Sequence, residues 1–376
     1  MKLGMVAGEA SGDLLGGLLM QGLRARWPAL SSVGIGGPRM QAEGLQSWWP
    51  AERLAVHGFV DALKVYLPLV KMRRELGDRL LDARPAAFIG IDAPDFNLGL
   101  ETRLKQAGLP TVHFVCPSIW AWRGGRVKAI AAAADHVLCL FPFEPALLAK
   151  SGIAASYVGH PLADALPLDP PRAAARAALG LAEGDTVVGL LPGSRRSEVR
   201  FNAAAFAAAG RRLQAARPGL KLLLPVAPGL RGLVEEALAA AGAAGAVQLL
   251  DGRSHEVMAA SDSLIIASGT ATLEAALFKR PMVIGYRMAS LNWALMKRMA
   301  YQPWVGLPNI LAGDFVVPEL LQQAMTPEAL ATATLRWLDD PAACARLAER
   351  FTDLHLSLRR DTARAAAGAL GELLGA

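Results

Sequence analysis

The stretch Leu190-Leu191-Pro192-Gly193-Ser194-Arg195 joins an apolar run to a glycine turn, and a long alanine-rich helical pattern follows it. The chain opens in the same way with Val6-Ala7-Gly8-Glu9-Ala10-Ser11-Gly12-Asp13, after which leucines recur at helical spacing. A strand, a glycine turn and a helix in this order are typical of parallel β-sheets. The repeated order predicts an α/β fold with one doubly wound parallel sheet in each half of the chain.

Short apolar runs alternate with helical patterns along the rest of the chain, as stacked βα units require. Three prolines within residues 167–171 predict a stiff linker between the halves. We therefore place one domain at residues 1–165 and another at residues 172–342, and we expect closing helices in residues 343–376. The predicted strands are residues 2–8, 32–37, 86–92, 111–117, 136–143 and 156–160 in the first half, and 187–192, 221–226, 247–250, 263–267 and 281–286 in the second.

The composition is that of a folded protein with two hydrophobic cores. Of the 376 residues, 53% are hydrophobic and 19% are charged, which excludes a disordered chain, a collagen and a disulfide scaffold. The three cysteines are widely separated and lack the spacing of metal ligands, so we expect reduced thiols and no structural zinc. The N-terminus lacks the features of a signal peptide, and no apolar run is long enough to span a bilayer.

The charge of the chain suits an anionic partner. Its formal net charge is +6, which fits nucleic acid, a phosphorylated ligand or an acidic lipid surface equally well. Residues 63–76 and 275–313 combine cations with aromatic, leucine or methionine side chains. Core packing explains most such stripes, but their coincidence with cations favours a surface that meets lipid head groups.

Two glycine turns in the second half are candidates for binding phosphate groups. Around Gly193, Ser194 and Arg195, free N–H groups, the positive end of a helix and a guanidinium converge. The second turn is Ser268-Gly269-Thr270-Ala271-Thr272-Leu273-Glu274, where Glu274 is placed to accept hydrogen bonds from a ribose. A plain βα turn and a helix cap are the respective alternatives. Together, the two turns favour a nucleotide diphosphate.

Two carboxylates in the first half are candidates for acid–base chemistry. Asp92 and Asp95 follow the predicted strand 86–92, at the edge where doubly wound folds present catalytic side chains. One of them is expected to act as general base. Asp95 has a simpler interpretation as the N-cap of the following helix, because a helix-compatible run comes directly after it.

Other chemistries find little support in the sequence. The histidines show no i,i+4 pair typical of a metal site, and His113 lies within a predicted strand, where a core histidine is the simpler interpretation. The chain has no G-x-S-x-G nucleophile motif and no D-x-D motif placed to bind a diphosphate through a metal. We therefore expect no required metal ion and no cofactor.

With these segments considered together and in order, the chain resembles the lipid-A-disaccharide synthases, which join two acylated glucosamines in Gram-negative bacteria. The resemblance covers nearly the whole chain. It is carried by residues 6–13, 37–44, 90–97, 117–123, 191–195, 267–274, 285–288 and 307–313.

This resemblance implies a fold and a reaction. The fold is the GT-B type, in which two Rossmann-like domains face each other across a cleft and the closing helices pack back on the N-terminal domain. The reaction joins UDP-2,3-diacylglucosamine to 2,3-diacylglucosamine 1-phosphate, giving a β-1,6-linked tetraacyl disaccharide 1-phosphate and UDP. It is an inverting transfer without a metal.

The resemblance also implies roles for particular residues. Asp92 is the expected base, with Asp95 and Glu9 as the other carboxylates able to take the proton, and Arg195 is expected to bind the diphosphate. The UDP-binding set is Gly193, Ser194, Arg195, Ser268, Gly269, Thr270, Thr272, Glu274, Tyr286, Arg287 and Asn309. The set expected to bind the acceptor and its acyl chains is Ser11, Gly12, Asp13, Tyr66, Leu67, Leu69, Met72 and Arg123.

The expected partners are the two acylated sugars and the cytoplasmic face of the inner membrane, to which the protein would attach peripherally. The sequence leaves a homodimer open. Nucleic acid is not expected, because the basic residues lack the context of a nucleic-acid-binding motif. Two enzymes of the same architecture remain as alternatives, a UDP-GlcNAc 2-epimerase and the GlcNAc transferase of peptidoglycan synthesis.

Overall fold

The computed structural model describes residues 1–8, 10–54, 62–120, 124–299 and 302–375 of the chain. The chain divides into two compact units. The first unit contains Met1–Ala165 and Ser357–Ala376, and the second contains Leu166–Leu356. The chain thus leaves the first unit once and returns to it near its end.

The first unit alternates strands and helices. Its strands are β1 (Lys2–Ala7), β2 (Ser31–Ile35), β3 (Leu45–Ser47), β4 (Ala87–Ile91), β5 (Thr111–Phe114), β6 (His136–Cys139) and β7 (Ala155–Tyr157). The helices before the linker are α1 (Ala10–Arg26), α2 (Pro38–Ala42), α3 (Ala62–Ala83), α4 (Pro94–Gln106), α5 (Val127–Ala133), α6 (Glu144–Ala149) and α7 (Pro161–Ala165). Short 3₁₀ turns occupy Ala51–Arg53 and Gly124–Arg126.

In the described residues, the strands of the first unit form one parallel sheet in the order β3-β2-β1-β4-β5-β6-β7. In its register, Gly90 of β4 stands opposite His113 of β5. Side chains alternate between the two faces of the sheet. Leu15 and Leu19 of α1 pack on one face, and Leu76 of α3 and Leu100 of α4 pack on the other. Both faces are therefore buried, as parallel sheets require.

The second unit has the same architecture. Its strands are β8 (Val187–Leu191), β9 (Lys221–Val226), β10 (Gln248–Asp251), β11 (Ser263–Ile266), β12 (Met282–Tyr286) and β13 (Glu319–Leu321), paired in parallel in the order β10-β9-β8-β11-β12-β13. Its helices are α8 (Arg172–Ala178), α9 (Arg196–Ala216), α10 (Arg231–Ala240), α11 (Ser254–Ala260), α12 (Thr270–Leu277), α13 (Ser290–Met299), α14 (Leu307–Ala312), α15 (Pro327–Asp339) and α16 (Pro341–Leu358), with a 3₁₀ turn at Gln322–Ala324.

The last helix, α17 (Thr362–Leu374), completes the first unit. Ala366, Ala367 and Leu370 join the same core cluster as the leucines of α1. The two helices approach so closely that a Cβ atom added to Gly22 would lie 1.9 Å from the Cβ of Ala363. Glycine is therefore required at this crossing.

The structure confirms the predicted α/β fold with doubly wound parallel sheets. Every predicted strand overlaps an observed one, although several predictions run past the end of the strand. Strands β3 and β13 were not predicted from the sequence. Each has three residues and lies at the edge of its sheet, so neither contains the apolar run that marks a central strand.

Candidate functional site

Asp92 stands at the carboxyl end of β4 in a strained turn. Its φ angle is +51° and that of Ala93 is +43°, which is the left-handed region that non-glycine residues avoid. Hydrogen bonds hold the turn, because Asp92 N donates to Phe114 O at 2.9 Å and Asn97 Nδ2 donates to Asp92 O at 2.8 Å. Such strain is often kept at functional sites.

Asp95 lies two residues further along but does not cap the helix. Helix α4 begins at Pro94, with Ala93 in the N-cap position and no side-chain cap. The expectation that Asp95 is the N-cap is therefore wrong, because Pro94, which has no N–H to satisfy, is the first residue of the helix and places the N-cap two residues before Asp95, at Ala93. The exposed Asp95 carboxylate instead forms an ion pair with Arg126.

Glu101 and His113 form a buried pair near this turn. Glu101 Oε1 and His113 Nδ1 are 2.7 Å apart, and neither side chain is exposed. A Cβ atom on Gly90 would lie 2.0 Å from Glu101 Oε1, so the glycine makes room for the carboxylate. The interpretation of His113 as a satisfied core histidine is correct only in part, because its Nε2 atom has no hydrogen-bond partner among the described residues. Glu101 carried no signal in the sequence.

Near the start of α1, both carboxylate oxygens of Asp13 accept hydrogen bonds from the protein backbone. Asp13 is 6% exposed, and its two oxygens accept the N–H groups of Arg39 and Met40, each at 3.0 Å. It thereby caps α2 from another helix. Ser11 is half-buried, and a Cβ atom on Gly12 would lie 3.5 Å from the Cβ of Ala7, which is an ordinary contact distance, so packing does not require glycine there. Glu9 lies outside the described residues.

The expected lipid-binding side chains of α3 point in different directions. Met72 is 7% exposed and packs in the core with Leu76, which corrects the expectation that it flanks acyl chains. The period of the helix turns Met72 toward the sheet, while Lys71 and Arg74 are exposed. Leu69 is half-buried at the edge of the same core cluster. The side chains of Tyr66 and Leu67, and Arg123 as a whole, lie outside the described residues.

Two cysteines and a glutamate form a buried cluster near the ends of β5 and β6. In the described part of the chain, Cys116, Cys139 and Glu144 are the group whose ligand-type atoms all lie within 4.8 Å of one another. Burial raises the pKa of Glu144 to about 7. Its oxygens accept hydrogen bonds from Trp120 Nε1 at 2.9 Å and Phe141 N at 3.0 Å. These hydrogen bonds satisfy both oxygens of the buried Glu144 carboxylate.

In the second unit, the turn from Gly193 to Arg195 holds a carboxylate of the protein. Glu198 Oε2 accepts the N–H of Ser194 at 3.0 Å and that of Arg195 at 3.2 Å. Gly193 has a φ angle of +121°, and a Cβ atom there would lie 2.4 Å from the Cβ of Glu198. The Arg195 side chain is 65% exposed and approaches Glu198 Oε1 at 3.4 Å. Nothing in the sequence indicates that Glu198 occupies these N–H groups.

The second glycine turn precedes α12. Gly269 has a φ angle of +153°, and no atom lies within 4 Å of a Cβ atom built there. Thr270 is exposed beside it. Ser268 Oγ donates to Val305 O at 2.8 Å, and Thr272 Oγ1 donates to Gly269 O at 2.8 Å. The Glu274 carboxylate lies 2.9 Å from His255 Nε2, so it already has a partner.

Tyr286 is the last residue of β12, and Arg287 follows it. Burial and the Glu198 charge raise the pKa of Tyr286, while the charge of Arg195 opposes them. The Arg287 guanidinium donates to Gln322 O at 3.2 Å and to Met325 O at 2.8 Å. It also lines an open pocket of about 240 Å³.

Asn309 has no side-chain polar atom left for a ligand. It is fully buried. Its Nδ2 donates to Val317 O at 2.9 Å and to Glu319 Oε1 at 2.8 Å, and its Oδ1 accepts from Val316 N and Val317 N. The side chain therefore orders the loop around α14.

Three of the five cations in the stretch 275–313 do not lie on the basic surface that the sequence predicted, and the side chain of Lys297 lies outside the described residues. Lys279 is 9% exposed and lies 2.6 Å from His355 Nδ1. Burial and the neighbouring Arg172 charge lower the pKa of Arg280 to about 10. Arg287 is bound to loop carbonyls as described above. These cations serve the interior of the second unit, while Arg298 is exposed. Among the described residues, no helix is long and apolar enough to cross a membrane.

Comparison with known proteins gives consistent results. A family model described as lipid-A-disaccharide synthetase matches residues 3–369. The lipid-A-disaccharide synthase of Verminephrobacter eiseniae is 59% identical over 100% of this chain and 97% of the relative. That of Albidiferax ferrireducens is 56% identical, with the same coverage.

Among solved structures, the chain resembles UDP-GlcNAc 2-epimerase from Neisseria meningitidis bound to UDP-GlcNAc, with a TM-score of 0.68 and 11% identity over 100% of this chain and 99% of that one. It also resembles a glycosyltransferase from Rickettsia africae, with a TM-score of 0.59 and 11% identity over 99% and 98% of the two chains. At this identity the likeness concerns the fold alone. It confirms the predicted GT-B architecture.

Proposed function

The chain belongs to the lipid-A-disaccharide synthase family, and we propose that it transfers 2,3-diacylglucosamine from UDP to the 6-hydroxyl of 2,3-diacylglucosamine 1-phosphate. The products are the β-1,6-linked tetraacyl disaccharide 1-phosphate and UDP. The observation that carries this proposal is the 56–59% identity to synthases over the entire chain. A UDP-GlcNAc 2-epimerase and a peptidoglycan GlcNAc transferase are not favoured, since the epimerase likeness is at 11% identity.

In the proposed reaction, Asp92 accepts the proton of the acceptor hydroxyl as its oxygen attacks C1 of the donor sugar. The bond between C1 and the diphosphate oxygen breaks, and UDP leaves with the electron pair. Attack from the opposite face inverts the configuration at C1. The position of Asp92 at a strand tip and the hydrogen-bonded turn that holds it there support this role. Asp95, whose exposed carboxylate pairs with Arg126, and Glu9 remain the other candidates.

On the donor side, we propose that the exposed guanidinium of Arg195 binds the diphosphate and stabilises the charge that grows on departing UDP. The open turn at Gly269 and the adjacent Thr270 offer N–H groups to the nucleotide. Tyr286 stands near Arg195 and completes this side. Ser268, Thr272, Arg287 and Asn309 are bonded within the protein and act by holding the loops in place.

The surface of α3 supports peripheral attachment to the inner membrane on its cytoplasmic side. Lys71 and Arg74 are exposed there, and cations near an anionic lipid surface each contribute about 1 kcal/mol of binding. Leu69 lies at the boundary between these cations and the core. This attachment would bring the enzyme to acylated substrates.

The deciding experiment is an assay of the purified protein with both acylated sugars, following UDP release and the disaccharide by mass spectrometry. Full activity in EDTA is expected, because Arg195 and the helix ends can carry the charge that a metal carries elsewhere. Release of UDP without the acceptor, or conversion of UDP-GlcNAc to its 2-epimer, would contradict the proposal. Size-exclusion chromatography with light scattering decides between monomer and homodimer.

A further inference from the structure

The buried pair of Glu101 and His113 reduces the stability of the fold and has no part in the proposed reaction as described so far. Both side chains are completely buried and joined by a 2.7 Å contact between Glu101 Oε1 and His113 Nδ1. Glu101 Oε2 and His113 Nε2 have no hydrogen-bond partner in the described part of the chain. Burying unpaired polar atoms destabilises a fold, and hydrophobic residues of similar size would fill this space at less cost. The pair therefore calls for an explanation other than stability.

The position of the pair connects it to the candidate base. His113 stands opposite Gly90 in the register of the two strands, and Gly90 lies two residues before Asp92. Asp92 N donates to the carbonyl oxygen of Phe114, the residue that follows His113, at 2.9 Å. The absence of a side chain at Gly90 lets the Glu101 carboxylate reach the imidazole. The pair thus lies beneath the strand tip that presents Asp92.

The charges around the pair favour an imidazolium at His113. Burial disfavours the charged ring, but the charge and hydrogen bond of Glu101, with a further contribution from Asp92, outweigh it and raise the pKa of His113. Arg126 opposes this from the 3₁₀ turn before α5, although its own charge is paired with Asp95. Burial also raises the pKa of Glu101, against the opposing effect of His113. Both shifts favour a proton on the pair.

We propose that Glu101 and His113 form a positioning pair, in which Glu101 keeps His113 as an imidazolium and the imidazolium keeps the Asp92 carboxylate ionised and oriented toward the acceptor. This proposal rests on the proposed function, because it assigns Asp92 the role of base. No bond forms or breaks within the pair. The proton from the acceptor hydroxyl goes to Asp92 and then to solvent, while the pair keeps its own proton.

The main test is the pH dependence of kcat/KM in Glu101→Gln, His113→Asn and the double variant. Each single change removes the imidazolium. Without Glu101, the buried His113 ring loses its proton and becomes neutral. Without His113, the buried Glu101 carboxylate takes up a proton and becomes neutral. Losing a cation near Asp92 should move the acidic limb of the profile up by roughly one pH unit in both singles. The double variant should show the same shift and not their sum. A purely structural role would lower the rate equally at every pH.

His136→Asn is the matched control. His136 lies on the neighbouring strand β6 with its Nε2 2.9 Å from Ser156 Oγ, so the variant also removes an imidazole from this sheet. Its acidic limb should coincide with that of the wild type. If Glu101→Gln and His113→Asn also leave the limb unmoved, the pair only fills the core and the proposal is overturned.

A second measurement needs neither a buried substitution nor activity. Titration of the His113 ring by ¹⁵N NMR in the wild type and in Asp92→Asn reports the coupling directly, and the ring should titrate at lower pH in the variant. An unchanged titration would overturn the proposal. The proposed function fails separately, if the wild type makes no disaccharide or if Asp92→Asn keeps full turnover.

Discussion

The Oε2 atom of Glu198 lies 3.0 Å from the backbone nitrogen of Ser194, so a carboxylate of the protein fills the place at which the sequence predicts a phosphate. The N–H of Arg195 is taken by the same oxygen. A diphosphate must therefore displace Glu198 from these donors or bind to the Arg195 guanidinium beside it. Either way, the negative charge of Glu198 opposes the negative charge of UDP.

Removing that charge should strengthen nucleotide binding. We expect Glu198→Gln to bind UDP roughly fivefold more tightly, equivalent to about 1 kcal/mol, because the amide competes for the N–H groups without repelling the diphosphate. Isothermal titration calorimetry measures this. Glu235→Gln, which removes an exposed carboxylate paired with Arg231, should leave the affinity unchanged. Equal UDP affinity in Glu198→Gln and wild type would show that the diphosphate binds elsewhere.

Arg195→Ala should reduce turnover more than it reduces UDP binding. The guanidinium meets more charge in the departing UDP than in the intact donor, so it favours the transition state. We expect kcat to fall roughly 10²-fold, measured with saturating substrates. Arg211→Ala, a change of an exposed arginine near the end of the same helix, is the control. If kcat and UDP affinity both stay at wild-type values, the segment is a turn and nothing more.

Asp92→Asn should abolish most of the activity and leave the fold intact. The amide keeps the shape of the side chain but cannot take up the proton, and loss of a general base typically costs about 10²–10⁴ in rate. Circular dichroism and UDP binding should match the wild type. Turnover near the wild-type value would move the role of base to Glu9 or Asp95.

His160 should make the protein less stable in acid. Burial lowers its pKa to about 4, and its Nδ1 accepts the N–H of Leu162 at 3.2 Å, so the folded state keeps the ring neutral. The unfolded state takes up a proton below about pH 6.5, so stability falls by about 3 kcal/mol as the pH drops from about 6.5 to about 4.

In the variant His160→Asn, the amide oxygen can accept the same N–H group of Leu162, but the side chain does not titrate. The free energies of unfolding of wild type and His160→Asn, from denaturant titrations, should therefore converge by that amount as the pH drops. The opposite trend expected from Glu144, whose pKa is raised by burial, is common to both proteins and cancels in the difference. A constant difference between pH 7 and pH 4 would show that His160 is accessible to protons when folded.

Exposed cations of α3 should govern attachment to lipid. We expect Lys71→Ala with Arg74→Ala to weaken binding to vesicles containing anionic lipid by about 2 kcal/mol, an effect that salt removes. Lys128→Ala with Lys150→Ala makes the same change in net charge at other exposed positions of the first unit and should bind normally. Equal weakening in the two double variants would point to net charge alone, without an oriented surface.

The fold could be predicted from the sequence because its central strands are buried on both faces and read as continuous apolar runs. Two of the four edge strands, β3 and β13, could not, since β13 has only half-buried residues and gains its register from β12. Met72 was misassigned for a related reason. The pattern of α3 shows that one face is apolar, but only the structure tells whether that face packs on the sheet.

The candidate site was predictable at strand tips and glycine turns, where position in the chain limits the chemistry. Its supporting groups were not. Glu101 and Glu198 each look like an ordinary helix glutamate, and what each contacts depends on residues from other segments or on the path of a turn. Lys279 was wrongly predicted to lie on a basic surface, because a run of charges in the sequence does not reveal that its side chain lies against His355.

The contact between Gly22 and Ala363 bears on the order in which the protein is made. The ribosome has already released every residue of the second unit before α17 emerges, so that unit can finish folding while the first unit still lacks its last helix. Until then, the leucines of α1 that α17 covers are exposed to water and to chaperones. The half of the protein that is synthesised first is therefore the half that is completed last.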